Sequence, residues 1–182
     1  STRWTNNDPV SELWSSELNW DNGTPGLMTS VWIDNEPNVL IDDTVTAVGN
    51  VVRVSITNPV DAHEPSIFMT GGSLTGSGGF VLGQGYGSKP VMEISGGTAN
   101  MFSRWTGNMS CWSMGSSRLH VTGGTVNCSY LWVSRCSPPT GQEGAIQLDG
   151  GVINAGAFFM GNGNMDITAG TLIINGNVTG VI

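Results

Sequence analysis

The fold is decided by MEISGG, residues 92–97, and by four phrases that echo it: IFMTGG (67–72), LHVTGG (119–124), IQLDGG (146–151) and MDITAG (165–170). In each, two apolar residues flank a variable one, a Ser, Thr or Asp follows, and a Gly-Gly or Ala-Gly pair closes the phrase. Apolar residues two positions apart are the mark of a strand with one buried face. Ile67/Met69, Met92/Ile94, Leu119/Val121, Ile146/Leu148 and Met165/Ile167 are therefore expected to point inward. The Gly pair then turns a corner, where positive φ carries no steric penalty.

The first residue of each pair falls at 71, 96, 123, 150 and 169, so the phrases recur at intervals of 25, 27, 27 and 19 residues. A period in this range signals a stacked repeat architecture. The shortest interval has room for three short strands and three corners. The longer ones read as the same unit carrying insertions: QGYGSKP (84–90), MFSRWTGN (101–108) and RCSPPTGQEG (135–144). Each pair is followed by a second apolar stretch, such as FVLG (80–83), WSMG (112–115), LWVS (131–134) and FFMG (158–161). VWI (31–33), VLI (39–41) and VVRVSI (51–56) have the same texture without the Gly pair and read as earlier, irregular turns. The expectation is an all-β, single-domain parallel β-helix (β-solenoid) of about 19–27 residues per turn. It divides into a Trp-rich cap or assembly segment at 1–26 and a solenoid at 27–182, with irregular turns at 31–65 and Gly-Gly-marked turns at 66–182.

The cap segment holds Trp4, Trp14 and Trp20. Solenoid ends need a cover, and large aromatics supply it. Val10, Leu13, Trp14 and Leu18 would share one helical face, with Asp8 as N-cap and Pro9 in the first turn. A strand pair fits the same residues.

Charge narrows the partners. Only 11% of residues are charged, against the usual quarter, and the net charge is −8. Ten carboxylates lie in residues 1–64 against Arg3 and Arg53; from residue 65 onward four carboxylates balance four basic residues. Six basic residues without a cluster argue against nucleic acid, whose binding rests on phosphate neutralisation. They argue equally against anionic membrane surfaces. No apolar run is long enough for a membrane-spanning helix, so no membrane insertion is expected. The chain begins at Ser1 without Met or an apolar signal segment, as a processed form would, and its Gly, Asn, Ser and Thr content suits an extracellular or cell-surface product. Sequons at Asn22, Asn108, Asn127 and Asn177 are no more than chance supplies.

Together, the opening W…W…NW…G-x-P-G, the I-x-(I/L/V)-(S/T/D)-G-G turns and the ending GTLIING (170–176) resemble the secreted β-solenoid repeat proteins of bacteria, including autotransporter-passenger-like repeats. That resemblance implies an extracellular parallel β-helix acting as scaffold, adhesin or appendage component, and brings no catalytic motif. Unlike in an autotransporter, no membrane-barrel or anchoring segment is expected within these residues.

In-register stacking at about 4.8 Å per rung places Phe68, Glu93, His120, Gln147 and Asp166 in one outward column. Glu93 beside His120 is the nearest approach to an acid/base pair. Glu93 and Asp166, three rungs apart at about 14 Å, are too far separated for a glycosidase pair. A second column, Thr70, Ser95, Thr122, Asp149 and Thr168, is expected to hydrogen-bond along the axis and to the corners. Asp34, Glu36, Asp42, Asp43, Asp61 and Glu64 offer hard oxygen ligands for calcium, without the spacing of a known calcium loop. Otherwise no cofactor is expected, and Asp61, His63 and Glu64 do not make a transition-metal set. Cys111, Cys128 and Cys136 lack zinc spacing; one disulfide with one remaining thiol suits an exported protein, and the pairing stays open.

Two functions follow as expectations. The first is a non-enzymatic protomer of an extracellular filament, surface layer or adhesive appendage. It would self-associate head-to-tail through Trp4, Trp14 and Trp20 at one end and Leu172, Ile173, Ile174, Val181 and Ile182 at the other. The second is a carbohydrate-binding or polysaccharide-cleaving β-helix, with glycans as partners and Tyr86, Trp105, Trp112, Trp132, Glu93 and His120 as the ligand surface.

Overall fold

Strands alternating apolar and polar residues, separated by glycine corners, stack into a pile of parallel rungs. A computed structural model describes residues 1–34, 38–54, 65–83, 89–102, 117–133, 144–161 and 163–180. Its strands are β1 (Thr2–Arg3), β2 (Val31–Ile33), β3 (Val39–Ile41), β4 (Thr46–Val54), β5 (Ser66–Met69), β6 (Ser73–Leu82) and β7 (Val91–Ile94). Then follow β8 (Thr98–Met101), β9 (Arg118–Val121), β10 (Thr125–Val133), β11 (Ala145–Met160), β12 (Asn164–Ile174) and β13 (Val178–Gly180). Every strand pairing between these elements is parallel. The chain is a single-domain parallel β-solenoid, as its repeats predict.

The rungs stand in three columns. In the first, Val39 pairs with Ile67, Ile67 with Met92, Met92 with Leu119, Leu119 with Ile146 and Ile146 with Met165. Ile41, Met69, Ile94, Val121, Leu148 and Ile167 form the parallel core ladder two residues on. In the second column Ala47, Leu74, Ala99, Val126 and Ile153 stack in order. Small residues there sit beside large ones, which keeps the interior filled. The third column begins with β1, β2 and the end of β4, and continues through FVL of β6, LWV of β10, FFM of β11 and β13. Ile67, Leu74, Phe80, Met92, Ile94, Met101 and Leu119 are all buried, each contributing about 2 kcal/mol by removal from water. Met101 thus belongs to a core strand rather than to the insertion that the sequence suggested.

The corner pair has two separate physical demands. Its second member has positive φ: Gly72, Gly97, Gly124, Gly151 and Gly170 lie between +59° and +88°. Its first member packs on the rung below; a Cβ at Gly96 would stand 2.3 Å from the Thr70 carbonyl oxygen. The one copy with a methyl at that place, Ala169, is also where the β11–β12 register shifts.

The first rung is lidded. The rings of Trp4 and Trp20 meet edge-on at 5.1 Å and those of Trp14 and Trp20 at 4.8 Å, and all three side chains are buried on the core. Trp20 Nε1 donates to the Trp14 carbonyl oxygen at 2.8 Å. Leu13 bridges to Leu40 in parallel, and the Trp14 N–H donates to the Leu40 carbonyl oxygen. The helical alternative for this segment fails. Only Glu17–Asn19 is helical, as a single 3-10 turn, and Val10 and Leu18 are 90% and 65% exposed. Asp8 accepts from the Val10 N–H and the Ser16 hydroxyl, and Ser11 accepts from the Leu13 N–H. Such local side-chain bonds offer the backbone an alternative to helix. The bridge between Trp4 and Trp20 is antiparallel, so the strand-pair alternative is the nearer one. No helix among the described residues is long and apolar enough to cross a membrane.

Candidate functional site

The first column's outward face carries the largest polar cluster among the described residues. Met92 and Ile94 point inward, so Glu93 between them must point out, and β9 presents Arg118 and His120 in the same way. The register joins Phe68 to Glu93, Glu93 to His120, His120 to Gln147 and Gln147 to Asp166, which is the outward column read from the sequence. His120 lies between two carboxylates: its Nε2 is 2.9 Å from Asp149 Oδ2 and its Nδ1 3.7 Å from Glu93 Oε1. Arg118 donates to the same Glu93 oxygen at 3.4 Å. Gln147 Nε2 and the Thr168 hydroxyl donate to Asp149, at 2.7 and 2.5 Å.

Asp149 stands in the pre-glycine column as the sequence places it, and the structure adds its contact with His120. Residues 147 and 149 are two apart on one strand and so face the same way. Asp149 therefore lies diagonally across from His120, one rung on. Parity along the strand was the available signal. The pre-glycine column itself bonds as expected at two places, Thr168 to Asp149 and the Ser95 hydroxyl to the Met69 carbonyl oxygen.

The cluster is electrostatically coherent. The Thr168 hydroxyl, then His120, hold the Asp149 carboxyl below its usual 3.8. A carboxylate depressed in the folded state stabilises the fold above the unfolded value, and that contribution is lost as pH falls through the folded value. Asp8, Asp21 and Asp42 are lowered in the same direction, chiefly by Ser16, by the Arg3 N–H and by Thr44. Thermal melts of the wild type and Asp149→Asn should differ at neutral pH, and the gap should close as pH falls below the ordinary carboxylate value of 3.8 and through the depressed folded one. An unchanged gap at acid pH would show that the Asp149 charge contributes nothing.

No protein-family model matches this chain, and no curated protein or solved structure matches it.

Of the other candidates, Asp34 is buried and ion-paired with Arg3 at 3.2 Å. Asp42 accepts from the Thr44 N–H and hydroxyl, while Asp43 lies at the corner against Gly71. These three do not converge, and no group of three His, Cys, Asp or Glu among the described residues is placed to hold a metal. Cys128 points into the core, with its Sγ 3.7 Å from the Asn154 carbonyl oxygen. Trp132 faces outward and stacks on Phe159 at 5.0 Å. Leu172 and Ile174 are half-buried and Ile173 is exposed. Tyr86, Trp105, Trp112, Cys111, Cys136, Glu36, Asp61, His63, Glu64, Val181 and Ile182 lie outside the described residues.

One ladder went unread in the sequence. Asn154 Nδ2 donates to Asn127 Oδ1, and Asn127 Nδ2 to Asn100 Oδ1, each at 2.9 Å. The signal was an Asn at the same offset after three successive Gly pairs. The Asn127 amide of one sequon is therefore engaged within a strand.

Proposed function

We propose that the chain is a non-enzymatic structural protein, an extracellular or cell-surface β-solenoid protomer that associates end to end with further copies of itself. The observation that carries this reading is where apolar surface remains. Among the described residues the large apolar side chains most exposed are Val10 and Leu18 in the cap, Leu27 and Met28 just after it, Ile167, Ile173 and Val178 on the opposite rung, and Phe102 between. Ile167 and Val178 continue core ladders yet are 47% and 65% exposed. Among the described residues strands β12 and β13 pair with β11 alone, which presents a strand edge suited to a further rung.

Charge favours head-to-tail contact over cap-to-cap contact. The cap bears Asp8, Glu12, Glu17 and Asp21 against Arg3, whereas β12 and β13 bear only Asp166. Two caps would repel each other more strongly than a cap and a β12 rung. Contacts of this heterologous kind propagate into filaments. The long axial ladders, with inward residues filling the core, suit a shaft.

Sedimentation and negative-stain imaging test the reading. Wild type should form concentration-dependent oligomers or filaments. Ile167→Lys and Val178→Lys, at exposed positions, should give folded monomers with unchanged circular dichroism. A wild type that stays monomeric at the highest soluble concentration overturns it.

A further inference from the structure

The part of the third column formed by β10, β11 and β13 carries a second, uncharged surface. Leu131 and Val133 are buried, so Tyr130 and Trp132 on the same strand stand outward. The register sets Tyr130 beside Ala157 and Trp132 beside Phe159, and sets Phe159 beside Thr179. The Trp132 and Phe159 rings are tilted by 34° with centroids 5.0 Å apart, forming one continuous aromatic wall. Next to it is a hollow of about 520 Å³ lined by Ser129, Tyr130, Gly156, Ala157, Gly176 and Asn177.

Rung stacking builds this hollow in. A Cβ at Gly156 would stand 2.5 Å from the Ser129 carbonyl oxygen, and one at Gly176 2.3 Å from that of Gly156. No larger residue fits at either place, so the floor stays bare beside Tyr130, with the Trp132–Phe159 pair two residues further along the strands. It is an open hollow rather than an enclosed cavity.

We propose that this notch binds a short, uncharged saccharide. The chemistry of the lining selects that class. A pyranose ring has one face of polarised C–H bonds, which suits the electron-rich face of an indole or phenyl ring. Its rim of adjacent hydroxyls suits a carboxamide, which offers two donors and an acceptor side by side, with a serine hydroxyl as further partner. Asn177 and Ser129 supply those groups at the edge of the hollow. No Asp, Glu, Lys or Arg lines it, which disfavours phosphorylated or acidic ligands. Nucleobases would stack on the same rings, but their phosphates would meet a protein of net charge −8. A proline-rich peptide is the remaining competitor for an aromatic groove.

The proposal is independent of self-assembly and is tested on the full chain in any oligomeric state. Maltotriose, cellotriose, xylotriose and N-acetylchitotriose are titrated against tryptophan fluorescence and saturation-transfer NMR, with a hexaproline peptide in parallel. One of the trisaccharides should bind with a Kd on the order of a millimolar, as suits a single open subsite. Trp132→Ala should weaken it tenfold or more. Ala157→Leu, which fills the hollow and leaves the rings in place, should weaken it equally with an unchanged melting temperature. Binding of hexaproline alone, binding of no trisaccharide, or binding indifferent to both variants overturns the proposal.

Discussion

Gly97→Ala should lower the stability of the solenoid by about 3–5 kcal/mol, enough to leave much of the population unfolded under mild denaturant. Two penalties add at this residue. Its φ of +76° disfavours any side chain by about 1–2 kcal/mol. The new Cβ would also stand 2.3 Å from the Gly71 carbonyl oxygen and 2.5 Å from the carbonyl carbon. Both are backbone atoms of the preceding rung, so no rotamer change relieves the clash. The two rungs must part, and their ladder bonds lengthen with them. Gly26→Ala is the control: φ there is not positive, and its Cβ would meet only the Thr29 hydroxyl at 3.9 Å. Urea unfolding should separate the two variants clearly, and a Gly97→Ala midpoint equal to that of the control would refute the corner argument.

Trp20→Ala should cost about 3–5 kcal/mol, the range for truncating a buried indole. Trp20 is the hub of the lid, with its ring edge-on to both Trp4 and Trp14 and its Nε1 bound to the Trp14 carbonyl oxygen. Its loss removes two aromatic contacts and opens the first rung to water. Near-ultraviolet circular dichroism should collapse before the far-ultraviolet strand signal does. Trp20→Phe keeps a ring in place and loses the hydrogen bond, so it should fall between wild type and Ala. Equal losses for the two variants would mean that the indole N–H, rather than ring packing, holds the lid.

The solenoid was legible in the sequence because its determinants are local and repeated. An alternation of two residues fixes the inward face, and the same offset from Met92 to Gly97 recurs in every marked copy. Once the copies are aligned, the column from Phe68 to Asp166 follows without further information. The cap is different. Its Trp residues could be read as a lid by composition, but their arrangement depends on short-range bonds from Asp8, Ser11 and Asn19 that no periodicity encodes. Asn19 is buried, accepting from the Asp8 N–H and donating to the Ser11 carbonyl oxygen.

Diagonal contacts were the other blind spot. Pairing residues straight along the axis joins Glu93 to His120 but leaves out Asp149, which reaches His120 obliquely at 2.9 Å. The aromatic notch escaped for a similar reason. Trp132 was noticed as a large exposed ring, but the hollow beside it is made by what Gly156, Ala157 and Gly176 lack. Absent side chains become informative only after strands are placed side by side.

The Asn100–Asn127–Asn154 ladder has a consequence for how the rungs find their places. Sliding one strand past its neighbour by two residues keeps every apolar side chain facing inward, so the hydrophobic pattern cannot forbid that slip. The amide chain can. A two-residue slide would set Asn127 beside Thr98 or Phe102 on one side and Val152 or Gly156 on the other, and leave half-buried amide groups without their amide partners, a cost of about 1–3 kcal/mol each. The three asparagines thus act as a proofreading device, rejecting a misaligned pile that burial alone would accept.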